Sequence, residues 1–256
     1  MKQSTSDRPM SYVRRVRHLV ASSPKTDRLF FSGYVTRSAG AAVAVYLERT
    51  RVTPNLVSIA GLVVHAIAAL LLVVAESPIS VGAWLAVLLL WQLAFSLDAA
   101  DGQLARLRGL SSAFGAWLDT FIDVATHVMV YGALTNFLVR ALDLDGTTAA
   151  TVASVVLGAH LLQLFTGWRH EIVRSDPAVP APPPWLVLGM RARHLIDYGW
   201  FLLVAAILLP QPRLLLAFLL ASSAIHVLAA VTQLMLNWYR EMTDRRPTSK
   251  SSVKDG

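Results

Sequence analysis

Six apolar runs, each long enough or nearly long enough to cross a bilayer, limit what this chain can become. They cover residues 54–75, 81–104, 113–139, 148–168, 194–209 and 214–238. A hydrocarbon core of about 30 Å needs roughly twenty apolar residues in helical form. No window shows the period-two alternation of a membrane barrel. The expectation is an all-α integral membrane fold of six transmembrane helices preceded by an interfacial amphipathic helix, the fifth span being short enough to need snorkelling flanks or a locally thinner bilayer. Thr53 and Pro54, an N-cap type followed by a first-turn proline, mark where the first span starts.

The segments between the runs say how the spans are oriented. All but Arg140 and Arg213 of the 23 lysines and arginines lie in segments that six spans put on one side. By the positive-inside rule both termini are expected in the cytosol, with the protein in the cell membrane. The formal charge of +7 then reads as topology, with attraction for anionic lipids or phosphorylated substrates, and not as a nucleic-acid surface. Residues 1–25 are polar and basic and lack the pattern of a cleaved signal; they are expected to fray. Residues 26–51 alternate weakly between apolar and basic positions, which predicts the interfacial helix, broken near Gly33 or Gly40. Five prolines between Arg169 and Arg193 predict an extended loop. The division expected is a cytosolic segment over 1–53, a membrane domain over 54–239 and a cytosolic tail over 240–256. Trp84, Trp200 and Trp238 sit near predicted span ends and read as interface anchors.

One stretch, DAADGQLARLRGLSSAFGAWLDTFID, sets four carboxylates into this apolar sequence. On a helix Asp98, Asp101 and Gly102 share one face with Ala105 and Arg106 beyond, and Gly115, Asp119 and Asp123 form a second such row. Two helices joined by a short turn can aim all four aspartates at one spot, at the cytosolic rim of the second and third spans. Ionisable groups are expensive in such surroundings and mark function by default. Four like charges need cations, and with no cysteine in the chain any metal is held by oxygen or imidazole. Magnesium-type ions prefer carboxylates and leave positions open for phosphates, and two of them can clamp a displacement at phosphorus. Gly102 and Gly115 leave room for a ligand, and Arg106 can pair with a phosphate. Together these ask for a diphosphate-bearing substrate.

The spacing Asp98-x2-Asp101-Gly102-x2-Ala105-Arg106-x8-Gly115-x3-Asp119-x3-Asp123 fixes eight residues in 26 positions and resembles the signature of the CDP-alcohol phosphotransferases (CDP-alcohol phosphatidyltransferases) without departure. The likeness extends over about residues 26–240. It implies attack by an acceptor hydroxyl on the β-phosphate of a CDP-linked donor, releasing CMP, in phospholipid synthesis if the donor is CDP-diacylglycerol. It further implies Asp98, Asp101 and Asp119 as metal ligands, and Asp123 as a metal contact that also acts as general base. The cofactor implied is Mg2+, two ions per site, with Mn2+ able to substitute. Gly102, Arg106, Ser112 and Gly115 would seat the donor, and Asn55, Leu56, Val57 and Ser58 would complete its nucleotide pocket; Ser58 stands where the family has threonine. The family also implies a homodimer.

The acceptor stays open. Members using inositol phosphate or glycerol phosphate often carry a basic residue directly after the last aspartate, where this chain has Val124. Arg169, Arg191 and Arg193, with His127 one turn beyond Asp123, are the candidates for acceptor binding. His127 and His160 read as interior polar groups or as cavity lining, and Arg108 as a topological charge. A soluble CDP-alcohol is an alternative donor. Two other classes compete: a membrane prenyltransferase, which needs a second aspartate motif where only Asp143 and Asp145 are on offer, and a transporter, which needs carboxylates through the depth of the membrane.

Overall fold

The computed structural model describes residues 11–22, 35–172, 184 and 198–244, the side chains of 167–172, 240, 243 and 244 excepted. Among these the regular structure is helical: α1 (Tyr12–Ser22), α2 (Arg37–Leu47), α3 (Pro54–Val74), α4 (Val81–Arg108), α5 (Ala113–Leu142), α6 (Gly146–Ile172), α7 (Tyr198–Leu208) and α8 (Pro212–Asp244). Five of them, α3, α4, α5, α6 and α8, are long and apolar enough to cross a membrane. The described part of the fifth run is α7, apolar but 11 residues long.

The ends of these helices follow from their sequence. Thr53 caps α3 by accepting from Leu56 N at 3.3 Å, with Pro54 in the first turn as expected. Ser80 does the same for α4 and Ser112 for α5. Gly109 closes α4 in the left-handed region, φ +64, a conformation that glycine adopts without the steric cost of a Cβ. The turn 109–112 therefore joins two long helices sharply. At 28 and 30 residues these run about 42 and 45 Å, longer than a bilayer core, so their ends project past the hydrocarbon.

Two departures from expectation occur near the amino terminus. Residues 12–22, expected to fray, form a helix because Val16, Leu19 and Val20 bury an apolar stripe against α2 and α4. Tyr12 donates to Ala42 O at 2.7 Å, and Arg15 pairs with Glu48. Gly40 does not break α2. It lets α2 lie against α4, for a Cβ there would stand 2.8 Å from Ala99 Cβ and 3.0 Å from Ala100 N. Residues 26–33, also expected to be interfacial, lie outside the described residues, as do prolines 177, 180, 182 and 183.

A core of Leu72, Trp91, Leu134, Phe137, Leu202 and Leu215 fills the end of the bundle away from the motif. At the motif end Ala41, Ala44, Val57, Ala100 and Leu104 pack α2, α3 and α4 together. Two arginines fasten α3 at opposite ends. Arg108 of α4 donates to the carbonyls of Leu47, Glu48, Thr50 and Val52, tying the end of α2 and the turn before α3. Arg140 of α5 donates to Ala75 O at 2.6 Å and Leu72 O at 3.1 Å, where the last turn of α3 leaves carbonyls unpaired. Arg108, which read as a topological charge, is thus a bracket between segments. Trp84, which read as an interface anchor, donates to Ala206 O at 2.7 Å and ties α4 to α7, whereas Trp200 and Trp238 are exposed.

Candidate metal centre and adjoining pocket

Three carboxylates converge. Asp98 and Asp101 of α4 and Asp119 of α5 each offer one oxygen, and these oxygens lie within 4.8 Å of one another. Among the described residues the helices bearing them pack little on each other, while α4 and α5 each pack extensively on α3. The aspartates therefore face one another across a gap that α3 holds open. Asp101 is 6% exposed while Asp119 is exposed, so the cluster runs from the interior to the rim. Hard oxygen donors at this separation fit a divalent cation of the magnesium or manganese type.

Asp101 is held from two sides. Ser58 of α3 donates its hydroxyl to Oδ2, and Gly102 N donates to Oδ1. The same hydroxyl lies 3.2 Å from Pro54 O, so its single proton is shared between the turn that opens α3 and the cluster. The remaining donor candidates gather nearby. Arg106 folds back over Gly102, its Nη1 3.3 Å from where a Cβ on that residue would stand. A Cβ on Gly115 would meet Ser112 Oγ at 3.3 Å and Asn55 Oδ1 at 3.7 Å, so that glycine lets the starts of α3 and α5 converge. Leu56 is exposed and Val57 is buried in the small core beneath. Ser112, expected as a donor contact, also caps α5, accepting from Gly115 N at 3.0 Å.

Asp123 lies one turn below Asp119 and lines a small inner cavity with Asp98. Ser58, Gly61, His65, Phe95, Thr126, His127 and Tyr198 complete most of its wall. His127 is thus cavity lining: its Nδ1 donates to Asp123 O at 2.7 Å and its ring stacks on Tyr198 at 4.6 Å. His160 is an interior polar group, donating to Val156 O at 2.6 Å and sharing Ser222 Oγ with His226. The side chain of Arg169 and the whole of Arg191 and Arg193 lie outside the described residues. His65, Thr126 and Tyr198 were not anticipated from sequence. A signal existed: Gly61 and His65 continue the face of Ser58 at i+3 and i+7, and Thr126 follows Asp123 at i+3.

Asp145 does not form a second acidic motif. It accepts from Thr147 N and Thr148 N at 2.9 and 3.0 Å and from the Thr148 hydroxyl at 2.6 Å, capping α6. The Thr148 hydroxyl in particular holds its carboxyl below the usual range. Asp145, half of the second acidic motif that a prenyltransferase reading needs, is thereby committed to the start of α6.

The sequence matches the family model described as CDP-alcohol phosphatidyltransferase over residues 51–236. It is 30% identical over 187 residues to the phosphatidylinositol phosphate synthase of Corynebacterium glutamicum, covering 68% of this chain and 82% of that one. Its fold is similar to crystal structures of the Mycobacterium tuberculosis phosphatidylinositol phosphate synthase. With CDP-DAG bound, that enzyme gives a TM-score of 0.54 at 20% identity, over 86% of this chain and 99% of that one. In complex with manganese and citrate it gives 0.52 at 20% identity, over 83% and 92%.

Proposed function

The chain belongs to the CDP-alcohol phosphatidyltransferase family and is an integral membrane CDP-alcohol phosphotransferase, and from that premise we propose that it transfers the phosphatidyl group of CDP-diacylglycerol to an alcohol, releasing CMP. The observation that carries this reading is the convergence of Asp98, Asp101 and Asp119 across the gap between α4 and α5, with Arg106 folded over Gly102 beside them. A relative solved with CDP-DAG and with manganese supports the choice of donor and of a divalent metal.

Asp98, Asp101, Asp119 and Asp123 would hold two Mg2+ ions, or Mn2+ in their place, whose contribution is to polarise phosphoryl oxygens and offset their charge. Ser58 keeps the Asp101 carboxylate turned toward the cluster. Arg106 pairs with a donor phosphate over Gly102, where no side chain intervenes. Asn55, Ser112 and Gly115 form the edge on which the nucleotide rests, with Leu56 and Val57 supporting the turn. Asp123 accepts the proton of the acceptor hydroxyl. As the acceptor oxygen bonds to the β-phosphorus, the bond from that phosphorus to the bridging oxygen breaks, and the electron pair leaves on CMP.

The domain division, the six-span count, the homodimer and a cytosol-facing site in the cell membrane belong to the same proposal; the basic segments flanking the motif support the orientation. The test is CMP release by purified protein with CDP-diacylglycerol, with and without Mg2+ or Mn2+, over a panel of alcohols. Metal-dependent CMP production that needs an alcohol is expected. Turnover of a soluble CDP-alcohol alone would transfer the reading to that donor. Absence of CMP release with every donor and acceptor tried would end it.

A further inference from the structure

The inner cavity beside Asp123 is lined by polar atoms that nothing among the described residues satisfies. His65 and Thr126 are 3% and 4% exposed. His65 Nε2, Thr126 Oγ1 and Tyr198 Oη are buried and, among the described residues, have no hydrogen-bond partner. They come from three different helices, α3, α5 and α7, and all three residues line this one cavity together with Asp98 and Asp123. Buried polar groups in native proteins are nearly always paired, and three orphans on one cavity indicate that their partner arrives from outside.

The chemistry of the three atoms limits that partner to a group that both donates and accepts. His65 Nδ1 donates to Gly61 O at 3.2 Å, which leaves Nε2 of the neutral ring as an acceptor. The Thr126 and Tyr198 hydroxyls can each donate and accept. A hydroxyl group, which also does both, can satisfy the set. An ammonium group only donates and would leave the hydroxyl protons of Thr126 and Tyr198 unpaired, while a methyl group would satisfy none of the three. The described residues lining the cavity offer hydroxyl, imidazole and carboxylate groups. The cavity offers about 20 Å3 to the centre of a water-sized group, room for one or two such groups. One end of an acceptor fits, not a whole sugar.

We infer that His65, Thr126 and Tyr198 are acceptor-positioning residues that bind a second hydroxyl of the acceptor, so that the enzyme requires a polyol whose attacking hydroxyl at Asp123 has a hydroxylated neighbour. This rests on the transferase reading above and goes beyond it by selecting among alcohols. It also explains how an acceptor can be recognised next to Asp123 although position 124 is valine.

The test uses the purified full chain with CDP-diacylglycerol and Mn2+. Acceptors are glycerol phosphate and inositol phosphate, their analogues lacking the hydroxyl adjacent to the attacking one, and the amino alcohols serine and ethanolamine. Turnover of a polyol with a loss of about tenfold or more in kcat/KM for its deoxy analogue is expected. Thr126→Val and Tyr198→Phe should each raise KM for the polyol roughly tenfold and leave KM for the donor unchanged, with Thr126→Ser restoring the parent value. Preference for an amino alcohol, or parent KM values in both variants, would overturn the inference while leaving the transferase reading intact; the cavity would then hold only water. Absence of CMP release with every acceptor would overturn both.

Discussion

The hydroxyl of Ser58 on α3 donates to the carboxylate of Asp101 on α4, so the helix that opens with the Pro54–Asn55 turn steers a member of the acidic cluster 43 residues away. A hydrogen bond to a charged group contributes about 1.5–3 kcal/mol. Ser58→Ala should therefore weaken Mn2+ binding roughly ten- to a hundredfold, read as the metal concentration for half-maximal CMP release and by Mn2+ electron paramagnetic resonance. Ser58→Thr, which keeps the hydroxyl, should stay near the parent value.

Removing the carboxylate charge should act differently at different positions. Asp123→Asn keeps shape but loses the base, and kcat should fall roughly 10²–10⁴-fold with Mn2+ binding affected less. Asp101→Asn should abolish CMP release mainly by weakening metal binding, which added Mn2+ would partly restore. Both variants should remain folded and in the membrane, as judged by their elution profile in detergent. Full activity in either would break the assignment of roles.

Arg108 satisfies the carbonyls of Leu47, Glu48, Thr50 and Val52 with one guanidinium. Lysine cannot reproduce that fork. Both Arg108→Lys and Arg108→Ala should lower stability, by about 1.5–3 kcal/mol or more for the alanine variant, seen as a reduced Tm. Both should also raise KM for the donor, because the bracket sits directly before Asn55. An unchanged Tm in Arg108→Ala would show that water replaces the clamp.

Gly40 offers a packing test remote from the chemistry. A methyl group there meets the backbone of α4 between Asp98 and Asp101. Gly40→Ala should destabilise by about 1–3 kcal/mol and lower metal affinity, because α4 has to shift at the cluster. Gly82 provides the control, since a Cβ added there would meet nothing within 4 Å: Gly82→Ala should leave metal affinity as it was.

Much of this was legible in the sequence because it is local. The Asp98–Asp123 spacing gives the two helix faces directly, the Thr53–Pro54 pair starts α3 where expected, and apolar runs of about twenty residues mark spans on length alone. What escaped depends on pairings between distant segments. Arg108 and Arg140 look like ordinary loop charges until the carbonyls they reach are known. Gly40 carries no signal until Ala99 is seen opposite it. Residues 12–22 look too polar to order, yet their apolar stripe of Val16, Leu19 and Val20 has a surface to cover. His65 and Tyr198 are 133 positions apart by number and share a wall only because α3 and α7 both border Asp98 and Asp123.

The arginines that grip α3 at either end give the molecule a fixed datum. Leu72 and Ala75 are anchored by α5, and the turn before Pro54 by α4. A rod secured in this way cannot slide or tilt independently, so the reach from Asn55 and Ser58 to the carboxylates is set before any substrate arrives. The side of the site proposed to hold the nucleotide then serves as a gauge block, its spacing to the carboxylates fixed by hydrogen bonds that no substrate has to make.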